Sequence, residues 1–267
     1  MSKAIHLKGK WILVTGASAG LGQAMARELA YKYKANLFIL ARRKQQLEDL
    51  RQELETKAGV QVKIVLADLS KLAEVDAALE NILSTQELSG AILNAGITYF
   101  GEHAEITWEK FEALMQINLV SVVRMTGKLI SYFEKENKDA ALMIVSSMAG
   151  MIPVPYKAVY SGTKAFLINY GSALSHELKS EKISITIFAP GGMVTEMTGG
   201  EDFKPLKKWL MPVDQAAREG IQAFQARKSI HVPGFSNRLS VFFFHLLPKK
   251  FITAKVAEVY RRALNKP

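Results

Sequence analysis

Six short apolar runs, five of them leading into a helix-length stretch, predict an α/β protein: a doubly wound, mostly parallel sheet of about seven strands with helices on both faces. Two further observations agree. Glycines crowd the junction after the first run, and the motifs described below fall beyond the carboxyl ends of the runs, where such sheets bind ligands. Trp11 to Val14 is the first run, with a helix over Leu21 to Tyr33 behind it. Leu37 to Leu40 precedes the charged amphipathic stretch Lys44 to Lys57, and Val62 to Leu66 precedes Leu72 to Leu83. Ala91 to Leu93 opens into a long helical region, roughly Trp108 to Phe133. Ala141 to Val145 leads to a helix from about Val159 to Leu178, Ile183 to Phe188 is the sixth run, and Ser229 to Val232 is a short seventh. Strands this short, separated by helices, pair in parallel through right-handed crossovers.

Composition narrows the function classes. With 267 residues, 49% hydrophobic and 22% charged, the chain is an ordinary globular protein, and disorder, collagen and coiled coil are excluded. The absence of cysteine removes disulfides, thiolate nucleophiles and Cys-ligated zinc together. The five histidines (His6, His103, His176, His231, His245) show no metal-ligand spacing, so no metal is expected. No Gly-x-Ser-x-Gly elbow is present to support a serine nucleophile. A polar Met1 to Lys10 predicts no secretory signal, and the apolar run Val241 to Leu247, broken by His245, falls far short of the ~20 residues of a spanning helix. The expected location is the cytoplasm. From Lys204 onward there are 13 basic and 3 acidic residues, against 22 of each before it, so the whole net charge of +10 lies in the last 64 residues. The expected organisation is one domain over 1–267, with 233–267 a basic and apolar C-terminal helical extension. A basic excess confined to an appendage argues against nucleic-acid binding.

The chemistry begins after the first strand, at Thr15-Gly16-Ala17-Ser18-Ala19-Gly20-Leu21-Gly22. Glycines 16, 20 and 22 permit a tight turn and close approach of backbone to a pyrophosphate at a positive helix N-terminus. The spacing is Gly-x-x-x-Gly-x-Gly, which glycine-rich turns used only for packing can also show. After the second strand, where an acidic residue would bond a ribose 2′-hydroxyl, the chain has Ala41-Arg42-Arg43-Lys44 and no carboxylate before Glu48. Arg42 and Arg43 suit a 2′-phosphate, which favours NADP(H) over NAD(H). Asp68, after the third strand, suits either an adenine amino group or a turn. Tyr160 and Lys164, at i and i+4, share a helix face. Ser147 follows the fifth strand, and Asn118 lies inside the long helix, where its side chain competes with backbone bonds unless a functional or bending role retains it.

Taken together, Thr15 to Gly22, Asp68, Asn94-Ala95-Gly96, Asn118, Ser147, Tyr160-x-x-x-Lys164 and Pro190-Gly191 with Thr195 resemble the short-chain dehydrogenase/reductase family, compact single-domain type, over about Lys8 to Thr195. Leu93 stands where the family often repeats Asn, and Met193 where Val is common. The resemblance implies a Rossmann-type fold and an NADP(H)-dependent carbonyl reductase. It implies catalytic roles for Asn118, Ser147, Tyr160 and Lys164: Tyr160 as the acid at the substrate oxygen, Ser147 as a donor to that oxygen, Lys164 on the ribose and lowering the phenol pKa, and Asn118 on a proton path through water. Cofactor contacts are implied for Gly16, Ser18, Ala19, Gly20, Leu21, Gly22, Arg42, Arg43, Asp68, Leu69, Asn94, Ala95, Gly96, Tyr160, Lys164, Pro190, Gly191 and Thr195. A homodimer or homotetramer is implied through the two long helices, about 108–133 and 159–178.

In that family the substrate meets regions that here read Met148 to Tyr156 and Met197 to Met211. Met148, Met151, Ile152, Val154, Tyr156, Met197, Phe203, Leu206 and Trp209 suit an apolar ketone, aldehyde or 3-oxoacyl thioester rather than a sugar, and suit packing as well. A branch containing 3-oxoacyl reductases and unassigned oxidoreductases is similar. A non-catalytic NADP(H)-binding regulator or scaffold is the alternative; loss of Tyr160 or Lys164 would mark it, and both are present. The tail Arg238 to Lys266, apolar between cations, suits peripheral membrane contact, or docking on the catalytic domain or a second subunit with its charges merely solvated.

Overall fold

The computed structural model describes residues 4–85, 87–194 and 210–264. Seven strands among them form one parallel sheet: β1 (Trp11–Thr15), β2 (Asn36–Ala41), β3 (Val62–Leu66), β4 (Leu88–Leu93), β5 (Ala140–Val145), β6 (Ile183–Phe188) and β7 (Ile230–His231), in the order β3-β2-β1-β4-β5-β6-β7. The order reverses between β1 and β4, where Leu13 sits opposite Phe38 of β2 on one side and Ala91 of β4 on the other. That reversal opens a crevice at the carboxyl ends.

Helices cover both faces because the strand residues are apolar on both. Ile12 and Val14 pack with α1 (Gly20–Tyr33), α2 (Lys44–Ala58) and, later in the chain, Val213–Gln225. Trp11 and Leu13 pack with α3 (Leu72–Ser84), with the helix at Ser121–Lys135 and with that at Ala158–Glu177. Alternate residues of one strand therefore feed two cores, and the strands read as continuous apolar runs. In α2 the buried set Leu47, Leu50, Leu54 and Ala58 recurs at helical spacing, and Gly59 ends it in the left-handed region at φ 66°.

The long helical region is interrupted. It comprises α4 (Trp108–Met115), capped by the Thr107 hydroxyl, then a π turn over Gln116–Val120, then α5 (Ser121–Lys135). The Ser121 amide bonds back to the Gln116 carbonyl, five residues away, and its hydroxyl donates to the Ile117 carbonyl at 2.8 Å. Asn118 lies at the centre of that turn, the bending role its position suggested.

The remaining helices are α6 (Ala158–Glu177), α7 (Val213–Gln225), α8 (Phe235–Leu246) and α9 (Lys249–Ala263). Glu219 of α7 fastens the start of α8, accepting from the Gly234 amide and from Arg238, each at 3.0 Å. Pro248 separates α8 from α9, and α9 lays Ile252, Val256 and Tyr260 against Ile152 and Val154. No described helix is long and apolar enough to cross a membrane.

Candidate active site

The crevice at the carboxyl ends is a cavity of about 450 Å³. Its floor is the turn after β1. Gly16 and Gly20 hold φ of 69° and 55°, which side chains resist. A Cβ on Gly22 would lie 2.4 Å from the Gly16 carbonyl oxygen and 2.6 Å from Asn94 Nδ2, so that glycine packs beneath the turn and does not line the cavity. Thr15 ties the two strands at the reversal point: its hydroxyl accepts from the amides of Asn94 (2.9 Å) and Ala95 (3.0 Å), and its carbonyl accepts from Asn94 Nδ2 (3.0 Å). No side chain caps α1 and no acid sits in its first turn, so its positive end faces the cavity unopposed.

Along one wall Arg43 Nε donates to Ser18 Oγ at 3.1 Å, and Arg42 lies 3.7 Å from Asp68. Asp68 is a turn residue here: its Oδ1 accepts from the Ser70 amide (3.0 Å) and hydroxyl (2.8 Å). Burial tends to raise the Asp68 pKa, but the Ser70 bonds and the Arg42 charge hold it below its ordinary value. Its other oxygen remains beside Arg42 on the cavity wall. An uncapped helix end and a turn that side chains would fill suit the phosphates of a dinucleotide.

The opposite wall carries the reactive side chains. Ser147 follows β5 and caps a short 3₁₀ turn, accepting from the Ala149 amide at 3.1 Å and donating to the Pro190 carbonyl at 3.4 Å. Lys164, only 4% exposed, donates to the Val145 carbonyl at 2.9 Å. Burial holds its ammonium down at about 8. Burial also raises the Tyr160 phenol, outweighing the lowering influence of the neighbouring Ser147 hydroxyl. Lys164 Nζ lies 5.7 Å from the Tyr160 ring.

Asn118 stands behind this wall, fully buried. It accepts from the Ile97 amide and donates to the Ile97 carbonyl, both at 2.9 Å, and donates to Thr163 Oγ1 at 3.2 Å. A Cβ on Gly96 would lie 3.3 Å from Asn118 Oδ1 and 3.5 Å from Lys164 Nζ, so the two side chains converge there. Of the expected site residues among those described, all but Gly22 and Asn118 line the cavity. Thr195, with Met197, Phe203, Leu206 and Trp209, lies outside the described residues. Among the described residues no cluster of His and acidic side chains could hold a metal.

Sequence reasoning missed several supporting groups. Ser146 donates to the Lys164 carbonyl (2.7 Å), and Thr163 donates to the Tyr160 carbonyl (2.7 Å). Ser161 donates to the Ala149 carbonyl (2.7 Å) and thereby fixes the loop after Ser147. The small hydroxyls flanking Tyr160 and Ser147 in the sequence were the available signal. Lys157 and Tyr260 had none: Lys157 Nζ lies 5.5 to 5.9 Å from the rings of Phe100, Tyr260 and Tyr160, and burial holds it at about 8. Arg261 of α9 also reaches the Tyr156 hydroxyl at 3.3 Å, and Tyr156 has the uncommon φ of 62°.

Comparison with known proteins supplies the remaining findings. Residues 10–204 match the family model described as short chain dehydrogenase. The chain is 32% identical over 199 residues to 17-beta-hydroxysteroid dehydrogenase type 3 of Mus musculus, covering 74% of this chain and 64% of that protein. It is 32% identical over 194 residues to very-long-chain 3-oxoacyl-CoA reductase-A of Danio rerio, covering 71% and 60%. The match thus spans less than two thirds of either relative's length. Among solved structures, a short-chain dehydrogenase from Sphingobium yanoikuyae in complex with NADPH superposes with a TM-score of 0.80 at 25% identity, covering 88% of this chain and 93% of that one.

Proposed function

The chain belongs to the short-chain dehydrogenase family, and from that premise we propose that it is an oxidoreductase acting on the carbonyl or hydroxyl carbon of an apolar substrate, with NADP(H) preferred to NAD(H). The observation that carries this reading is the convergence of Ser147, Tyr160 and Lys164 on the cavity whose other end holds the glycine turn and Arg42. A bound reduced nicotinamide supplies the hydride. The chain's own part is positional and protonic. Tyr160, kept protonated at neutral pH by its raised pKa, donates to the substrate oxygen while the Ser147 hydroxyl bonds the same atom as charge builds. Lys164, mostly charged at pH 7, suits the ribose hydroxyls; Asn118 acts as a positioning residue, holding the Gly96–Ile97 backbone against them. Arg42 and Arg43 suit the 2′-phosphate.

The relatives act, by name, on hydroxysteroids and very-long-chain 3-oxoacyl-CoA compounds, and an apolar oxo substrate of either kind agrees with the apolar stretch Met148 to Val154 that follows Ser147 in the sequence. The dimer or tetramer expected through α4–α5 and α6 belongs to the same reading, since Trp108, Val120 and Phe166 expose apolar side chains there.

The test is a fluorescence titration with NADPH and NADH, repeated on Arg42→Asp. NADPH should bind more tightly, and the substitution should weaken it by about 30-fold or more, the loss of one charge-assisted contact of ~2 kcal/mol. Equal affinity for the two cofactors refutes the preference. A carbonyl panel followed by NADPH consumption, with Tyr160→Phe as the blank, tests turnover; binding without turnover would favour a regulatory protein.

A further inference from the structure

Helix α8 turns an apolar side to solvent. Phe235, Leu239, Phe242, Phe243 and Leu246 fall within one stripe roughly 100° wide on a helix of 3.6 residues per turn. All five are exposed, Phe235 at 75%, Phe242 at 59% and Leu246 at 63%. The opposite side holds the helix to the body. There Asn237 donates to the Pro233 carbonyl at 2.9 Å, and Phe244 packs against the cluster of Ile152, Val154 and Ile252. Exposed Leu247 and Phe251 carry the apolar surface across the junction into α9.

Cations surround this face. Between Glu219 and Glu258 the sequence has no carboxylate and six Lys or Arg residues. Arg238 flanks the stripe, and Lys249 and Lys250 sit at its end with no ion-pair partner among the described residues.

We propose that α8 and the α8–α9 junction form an interfacial face that docks on an anionic phospholipid surface. The stripe enters the boundary between headgroups and acyl chains, and Lys249 and Lys250 meet the lipid phosphates. Charge selects this occupant over a second copy of the chain. A two-fold contact through the stripe would bring two sets of Lys249 and Lys250, which have no ion-pair partner among the described residues, together on molecules of net charge +10. A lipid surface satisfies the apolar and the cationic halves at once. Docking there also sets the inner side of α8–α9 beside the segment Ile152–Val154, which leads from Ser147 towards Tyr160, so an apolar substrate dissolved in the bilayer would meet the enzyme at its own source.

The test uses the full chain, sedimented with vesicles of phosphatidylcholine alone and of phosphatidylcholine with phosphatidylserine. Binding to the anionic vesicles only, weakening as salt is raised, is expected. Two double variants separate the halves: Phe242→Ser with Leu246→Ser, and Lys249→Glu with Lys250→Glu. Each should lower vesicle partitioning by about tenfold or more while the unfolding temperature stays put, because the altered side chains are exposed. Absence of binding by the unaltered chain, or binding that neither variant weakens, overturns the proposal. So does a lipid-free dimer that the Phe242 and Leu246 changes dissolve, which would assign the stripe to a second copy. Vesicle binding needs neither cofactor nor turnover, so its failure is distinct from failure of the oxidoreductase reading.

Discussion

At Lys164, burial and chemistry pull in opposite directions. Its ammonium, held at about 8, is the first reactive-site proton lost as pH rises from neutral, since burial pushes the Tyr160 phenol upward. Reductive kcat/KM, which reports the free enzyme, is therefore expected to stay level up to about pH 7 and fall through about pH 8. Lys157 is held at about 8 as well, so the profile of Lys157→Met identifies the group: a fall that persists belongs to Lys164. Stability runs the other way. An unfolded lysine keeps its proton to ~10.4, so between about 8 and 10 the unfolded state binds more protons and stability rises with pH. Lys164→Met should accordingly abolish turnover yet raise ligand-free stability at pH 7 by about 1–3 kcal/mol, read by denaturant unfolding. Tyr160, Lys164 and the glycine turn were legible because their signals are local: a four-residue spacing, and glycines at one junction. Ser146, Thr163 and the Ile97 backbone were not, because each acts through a carbonyl or amide that only the folded chain brings near.

At the level of elements, apolar runs located each strand, with errors where a small or polar residue hid a boundary. β4 starts at Leu88 and not Ala91, because Ser89 and Gly90 belong to the strand; a Cβ on Gly90 would sit 2.9 Å from the Ala141 carbonyl oxygen. The π turn was legible only as an ill-placed asparagine. By adding one residue to a turn it shifts the helix phase by roughly 100°. α4 and α5 can then point different faces at the protein while Asn118 grips Ile97 between them. The anchoring of α8 was invisible in sequence, since Glu219 and Gly234 belong to different elements. Glu219→Ala removes the acceptor of the Gly234 amide and the partner of Arg238, so a loss of about 2 kcal/mol is expected. Limited proteolysis should then cut near Gly234 first, with no new cleavage in α1 or α2.

For the whole molecule, the sheet separates stability from chemistry along the strand direction. Arg227, at the end of α7, donates to the carbonyls of Ala140 (3.1 Å) and Lys182 (2.9 Å) and pairs with Asp139, binding together the amino ends of β5 and β6. Arg227→Met should lower stability by about 1–2 kcal/mol, because it removes two hydrogen bonds to strand-end carbonyls and the ion pair with exposed Asp139. It should leave KM for the cofactor within twofold, because the cavity lies at the other end of the strands; a large change in KM would show the ends to be coupled. Parallel order itself was readable from the alternation of runs and helices, whereas the packing of α9 on Ile152 and Val154 was not. One practical use follows from the one-way sheet in a chain without a native thiol. A cysteine placed at exposed Lys8, before β1, would be the sole site for a dye and would ride on the idle rim, whereas one at Phe242 would report on the outer face of α8. The two labels together make the polarity of the molecule a ruler for fluorescence.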